Sequence, residues 1–234
     1  MKKCFEDPSR QTRKTSRKIW MITGHYGSGK TEFSVNFAVA LKKEGRKVAV
    51  VDLDIVNPYF RSREQKKTLE DMGIPVASSN VADGIDLPAL SSEIYGLLQN
   101  PECDVIFDVG GDDAGARVLG RFFQEIPQEA ARMLFVLNVN RPKTADVASA
   151  RRYIEEIEAA SRQKMYGIVN NTHLCEYTSE ETIILGDAIA RELSKVADIP
   201  ILYYTVEKSL SQTVKYEASG QKIVIDRYMK KPWE

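Results

Sequence analysis

The chain alternates short apolar runs with stretches of helical periodicity. Runs such as Val48-Ala49-Val50-Val51 and Met133-Leu134-Phe135-Val136-Leu137 do not alternate apolar with polar residues. Such runs suit strands covered on both faces, as in parallel sheets. Strands are expected at about 18–23, 46–53, 74–77, 104–109, 132–139, 164–170 and 199–205. Helices are expected between them, at about 29–44, 60–72, 86–99, 114–125, 143–162 and 178–196. Phe33, Phe37, Ala40 and Leu41 fall on one face of the first helix, and Val147, Ala150, Ile154 and Ile157 form a stripe on the fifth. The last helix opens with Thr178-Ser179-Glu180-Glu181, which has the spacing of a capping box. Strands alternating with helices indicate βαβ units. The expected fold is therefore α/β, a doubly wound and mostly parallel sheet with helices on both faces.

No linker, repeat or low-complexity stretch interrupts this pattern, so residues 18–234 are expected to form a single domain. Residues 1–17 differ. They carry Lys2, Lys3, Arg10, Arg13, Lys14 and Arg17 against Glu6 and Asp7, and are expected to be a basic, flexible tail. The whole chain has 234 residues, 43% of them apolar, enough for one sizeable core. Its net charge is zero, so nothing draws it globally to nucleic acid or to an anionic membrane. The basic stretch interleaves no aromatic residue for base stacking. No apolar stretch approaches bilayer-spanning length, and no apolar leader segment is evident. Cys4, Cys103 and Cys175 are scattered, which fits reduced thiols in a cytoplasmic setting and offers no local metal-ligand spacing.

Residues 24–31 read Gly-His-Tyr-Gly-Ser-Gly-Lys-Thr, a full match to the phosphate-binding pattern G-x-x-x-x-G-K-[ST]. It follows an expected strand and opens an expected helix, the context that the motif requires. Its glycines, Gly24, Gly27 and Gly29, let the backbone fold around a polyphosphate, and Ser28 completes the loop. Lys30 would place a compact positive charge near the β and γ phosphates. The Thr31 hydroxyl would ligate Mg²⁺. The positive end of the following helix would face the anion.

In an open α/β sheet, ligands bind at the carboxyl ends of the strands. The second strand ends Val51-Asp52-Leu53-Asp54, and the period of two puts Asp52 and Asp54 on one side. Asp52 is read as structural. The fourth strand ends Ile106-Phe107-Asp108, a carboxylate placed to hold Mg²⁺ directly or through water. Gly110-Gly111 follow it, in a segment able to order around a γ-phosphate and relax after hydrolysis. Arg61 and Arg63 stand where a loop could neutralise phosphate charge. Thr144 is read as the cap of the fifth helix, and His173 as a surface loop residue.

Together these residues resemble the MinD/ParA group of P-loop ATPases (CobQ/CobB/MinD/ParA). Val51-Asp52-Leu53-Asp54 is similar to that family's D-x-D segment, which implies a hydrolytic role for Asp54. Ile106-Phe107-Asp108 with its glycines is similar to Walker B and switch II. Gly167-Ile168-Val169-Asn170 is similar to the strand whose terminal Asn bonds adenine, which implies that role for Asn170. Val206-Glu207 resembles the late nucleotide-proximal loop, which implies that Glu207 lies at the nucleotide. The family usually carries a second, signature lysine just after the first P-loop glycine, and here that position is His25. Asn170-Asn171-Thr172-His173 lacks the Lys and Asp of the guanine-reading N-K-x-D motif, which favours adenine.

The function expected is that of a Mg²⁺-dependent ATPase switch read by a protein partner, either a second copy of the chain or a metalloenzyme being matured. Lys30 and Asp54 would carry catalysis, with Thr31 and Asp108 on the metal. A small-molecule kinase or ligase of the dethiobiotin synthetase type and a non-hydrolysing nucleotide-bound adaptor are the alternatives.

Overall fold

The computed structural model of the chain describes residues 16–53, 66–78 and 91–229. The expected basic tail therefore lies almost wholly outside the described residues, as do Asp54, Arg61 and Arg63.

Among the described residues, eight strands form one sheet: β1 (Ile19–Thr23), β2 (Lys47–Leu53), β3 (Val76–Ser78), β4 (Cys103–Val109), β5 (Ala131–Leu137), β6 (Met165–Asn170), β7 (Ile201–Glu207) and β8 (Gln221–Ile225). Their order is β3-β2-β4-β1-β5-β6-β7-β8, and every neighbouring pair is parallel. Six helices connect them: α1 (Lys30–Lys43), α2 (Lys66–Asp71), α3 (Ser92–Gln99), α4 (Asp113–Arg121), α5 (Val147–Ser161) and α6 (Glu180–Ala197). The expected doubly wound α/β fold is what the chain adopts.

The non-alternating runs have their explanation in two cores, one on each face of the sheet. Ile19, Met21, Val105 and Phe107 pack on the face that α4 and α5 cover. Trp20, Ile22, Val50 and Ile106 pack on the opposite face, against Phe33 and Phe37 of α1. Successive side chains of a strand point to opposite faces, so a strand buried on both must be apolar throughout.

Two local expectations need correction. α6 is capped one residue later than its sequence suggests: Ser179 is the N-cap and exchanges hydrogen bonds with Thr182, so the box is Ser-x-x-Thr. α5 begins at Val147 rather than near 143, because Asp146 accepts the Ser149 N–H at 2.9 Å and takes the capping role expected of Thr144. Thr144 sits in a short 3₁₀ turn instead and donates to the Asn138 carbonyl at 2.7 Å. β8, absent from the expected strands, pairs with β7 and, among the described residues, forms the edge of the sheet.

The chain direction reverses across β1. From it the path runs one way to β2 and β3, and later the other way from β5 to β8. Such a switch point opens a crevice at the carboxyl ends of the strands, and the Gly24–Thr31 loop leaves β1 there.

Gly120 lies where α4 meets α5, and a Cβ at that position would come within 2.5 Å of the Ala160 carbonyl oxygen. Gly120→Val is expected to lower stability by about 1–3 kcal/mol through overpacking. A urea midpoint equal to that of the unsubstituted protein would contradict this close packing.

Candidate functional site

Three strands bring their ends together at the loop. Ile22 of β1 stands opposite Asp108 of β4, and Asp108 opposite Asp52 of β2. Both aspartates are buried. Asp104, on the same strand at its other end, serves a different purpose. It accepts from Arg46 and from the Lys18 N–H, and thereby closes the amino edge of the sheet.

Gly29 is the N-cap of α1, with φ 84° in the left-handed region. A side chain there would also strike the Asn171 amide. Lacking a side chain, it leaves the N–H groups of the first helical turn without a side-chain cap, the usual anion-binding arrangement. Lys30 and Thr31 open that turn and line the adjoining cavity. Ser34, one turn on, donates to the Lys30 carbonyl at 2.9 Å and to Asp108 Oδ1 at 3.2 Å. It thus ties the phosphate-binding helix to the β4 carboxylate. A hydroxyl and carboxylates are hard oxygen donors, the set that suits Mg²⁺ shared with phosphates and water. Among the described residues no group of three or more His, Cys, Asp or Glu side chains is placed to hold a metal ion by itself.

Gly111, in the turn after β4, packs so closely on the loop that a Cβ would strike the Gly24 carbonyl. The Tyr153 hydroxyl of α5 donates to the Gly111 carbonyl. The same ring meets His25 edge-on, with centroids 5.8 Å apart. His25 is held below the ordinary histidine pKa by burial, opposed by its bond to the Tyr26 carbonyl and aided by the nearby charges of Lys143, Arg141 and Lys30. Its ring thus packs against α5 through Tyr153. Arg141 donates to the Gly27 carbonyl at 2.7 Å, a contact that its sequence position after β5 only hints at.

The cavity beside the loop holds about 530 Å³. Its wall includes Glu207 at the end of β7 but not Asn170. The Asn170 side chain points the other way and accepts from the Thr172 hydroxyl at 2.8 Å, next to Gly186 of α6. Asn171 lines the cavity in its place. It donates to the Ser28 carbonyl at 2.6 Å and accepts from Thr205. The strand period explains this. Ile168 packs on the α5 face and Val169 on the α1 face, so the residue continuing toward the loop on the α1 side is Asn171.

His173 lies in the loop after β6 but is half-buried there rather than fully at the surface. It lines the cavity, with its ring against Gly29. Burial and then the charge of Arg141 lower its pKa to about 4, against opposing effects of Glu207 and a backbone bond to Ser28.

The model of the family described as the CobQ/CobB/MinD/ParA nucleotide binding domain matches residues 19–199. The chain is similar to the cytosolic Fe-S cluster assembly factor NUBP2 of Mus musculus, with 24% identity over 212 residues that cover 79% of this chain and 75% of that protein. Among solved structures it is similar to the cell division protein FtsY of Thermotoga maritima, with a TM-score of 0.60, 22% identity, and coverage of 87% of this chain and 67% of that one. It is also similar to the signal recognition particle receptor FtsY of Elizabethkingia anophelis in complex with GDP, with a TM-score of 0.54, 17% identity, and coverage of 86% of this chain and 60% of that one. At these identities the structural likeness extends to the fold.

With a folded pKa near 4 and an unfolded value near 6.5, His173 takes up its proton in the unfolded chain first. Its contribution therefore makes stability rise with pH between about 4 and 6.5. His173→Gln is expected to flatten that part of the curve of unfolding midpoint against pH. A variant curve parallel to the original would contradict the burial of this ring.

Proposed function

Because the chain belongs to the CobQ/CobB/MinD/ParA nucleotide binding domain family, we propose that it binds ATP with Mg²⁺ and hydrolyses it as a switch read by a protein partner. The observation that carries this reading is the Ser34 bridge between the phosphate-binding helix and Asp108. It joins a complete P-loop to a buried carboxylate one strand away, the pairing that Mg–nucleotide chemistry uses.

In this reading Lys30 and the N–H groups at the start of α1, which no side chain caps, neutralise and orient the β and γ phosphates. Thr31 and Asp108 would hold Mg²⁺, with Asp52 behind them. When bound, the ion supplies charge neutralisation across the phosphates. Asp54, one residue beyond the end of β2, would orient the attacking water. The apolar remainder of the cavity takes the nucleoside, with Asn171 and Glu207 at its polar edge. Adenine remains the base proposed, from the absence of an N-K-x-D motif.

Gly111 lies against the loop, so release of the γ-phosphate would be felt there first. Tyr153 carries that change to α5. The likeness to an Fe–S cluster assembly factor supports a partner in metalloenzyme maturation, and a second copy of the chain is the other partner proposed. A cytoplasmic setting belongs to the same reading. No helix among the described residues is long and apolar enough to cross a membrane.

Lys30→Ala is expected to lower phosphate release by about 10²–10³-fold and to weaken ATP binding. Asp54→Ala is expected to keep ATP binding while losing hydrolysis. Release measured without any added metabolite separates hydrolysis from transfer to a small molecule. Full activity in the Lys30 variant would overturn the reading, and turnover only with an added acceptor would point to a kinase.

A further inference from the structure

The chain's last described segment returns to the phosphate-binding helix. After β8, residues 226–229 run along α1 and are held by two of its side chains. Asn36 accepts the Asp226 N–H and donates to the Asp226 carbonyl, both at 2.9 Å. Glu32 accepts the Tyr228 N–H at 2.7 Å and the Met229 N–H at 3.1 Å. Backbone that would otherwise lack partners beyond the sheet edge is thus paired by side chains. Four hydrogen bonds, two of them to a carboxylate, define one path for this segment.

That path has a consequence for the cavity. Ile225, Arg227 and Met229 form part of its wall, as does Glu32, whose two carboxylate oxygens are already engaged by the Tyr228 and Met229 N–H groups. Arg227 Nη2 lies 3.2 Å from both Glu207 oxygens, so the segment also sets the polar edge contributed by β7. The Lys208 ammonium pairs with Asp226 at 2.8 Å and closes the other side of the same turn. Asn36 is two turns into α1 and is not part of the cavity wall.

We infer that Glu32 and Asn36 are positioning residues for the nucleoside part of the ligand, acting through the 226–229 segment they hold rather than by touching phosphate. This rests on the nucleotide-binding reading above. The helix that opens at the phosphates therefore also holds the wall that receives the nucleoside. The two halves of a nucleotide are gripped by one element, although the residues involved are separated by 190 or more positions.

The test compares a ligand with a nucleoside to one without. Binding of Mg-ATP and of Mg-tripolyphosphate is measured for the unsubstituted protein and for Asn36→Ala and Glu32→Gln. Each variant is expected to weaken ATP binding by about tenfold or more while leaving tripolyphosphate binding unchanged. Equal weakening of both ligands, or no change in either, overturns the inference. Lys30→Ala serves as the control: it should weaken both, and if it weakens neither, the nucleotide-binding reading itself fails. Should either variant not fold, hydrogen exchange on the unsubstituted chain decides. ATP is expected to slow exchange of the Asp226, Tyr228 and Met229 amides, and tripolyphosphate is not. Absence of protection by ATP, or equal protection by both, overturns the inference.

Discussion

Ile22, Asp108 and Asp52 stand side by side on three neighbouring strands because the parallel ladder between β1, β4 and β2 runs without a shift to their carboxyl ends. The site depends on this alignment. A slip of one residue in β4 would turn Asp108 to the opposite face and replace it with an apolar neighbour. The two buried cores hold the register, since each strand must satisfy both faces at once. The chemistry at the edge is thus a consequence of packing several residues away from it.

The loop itself works through close approach. Backbone at Gly24 meets backbone at Gly111, and the Asn171 amide meets Gly29 where any side chain would intrude. Around this bare backbone stand groups that hold it from outside: Arg141 on Gly27, Asn171 on Ser28 and Tyr153 on Gly111. His25 belongs to the same scaffold. Its ring packs edge-on against Tyr153 and so joins the loop to α5.

Much of this was legible in the residue pattern, for stated physical reasons. Long apolar runs marked the central strands, because both faces are covered. The phosphate loop was legible because its glycines and lysine have few other uses at that spacing. Asn170 misled because two asparagines adjoin, and only the face on which α1 lies distinguishes them. His173 is in the loop expected of it, but nothing local showed that this loop would lie against Gly29 at the cavity. β8 escaped because an edge strand of five residues makes a weak pattern, while its pairing with β7 is plain in space.

Local order along the chain was enough for the α/β class, the P-loop and the carboxylate at the end of β4. Each follows from period, spacing or side-chain chemistry within a few residues. The cavity walls follow from none of these. Asn171, Arg141, His173 and the 226–229 segment meet the loop only because eight strands align and α1 crosses to one chosen face. Contacts between residues more than a hundred positions apart are settled by sheet order and by which face each helix covers, and neither is written in any local stretch of sequence.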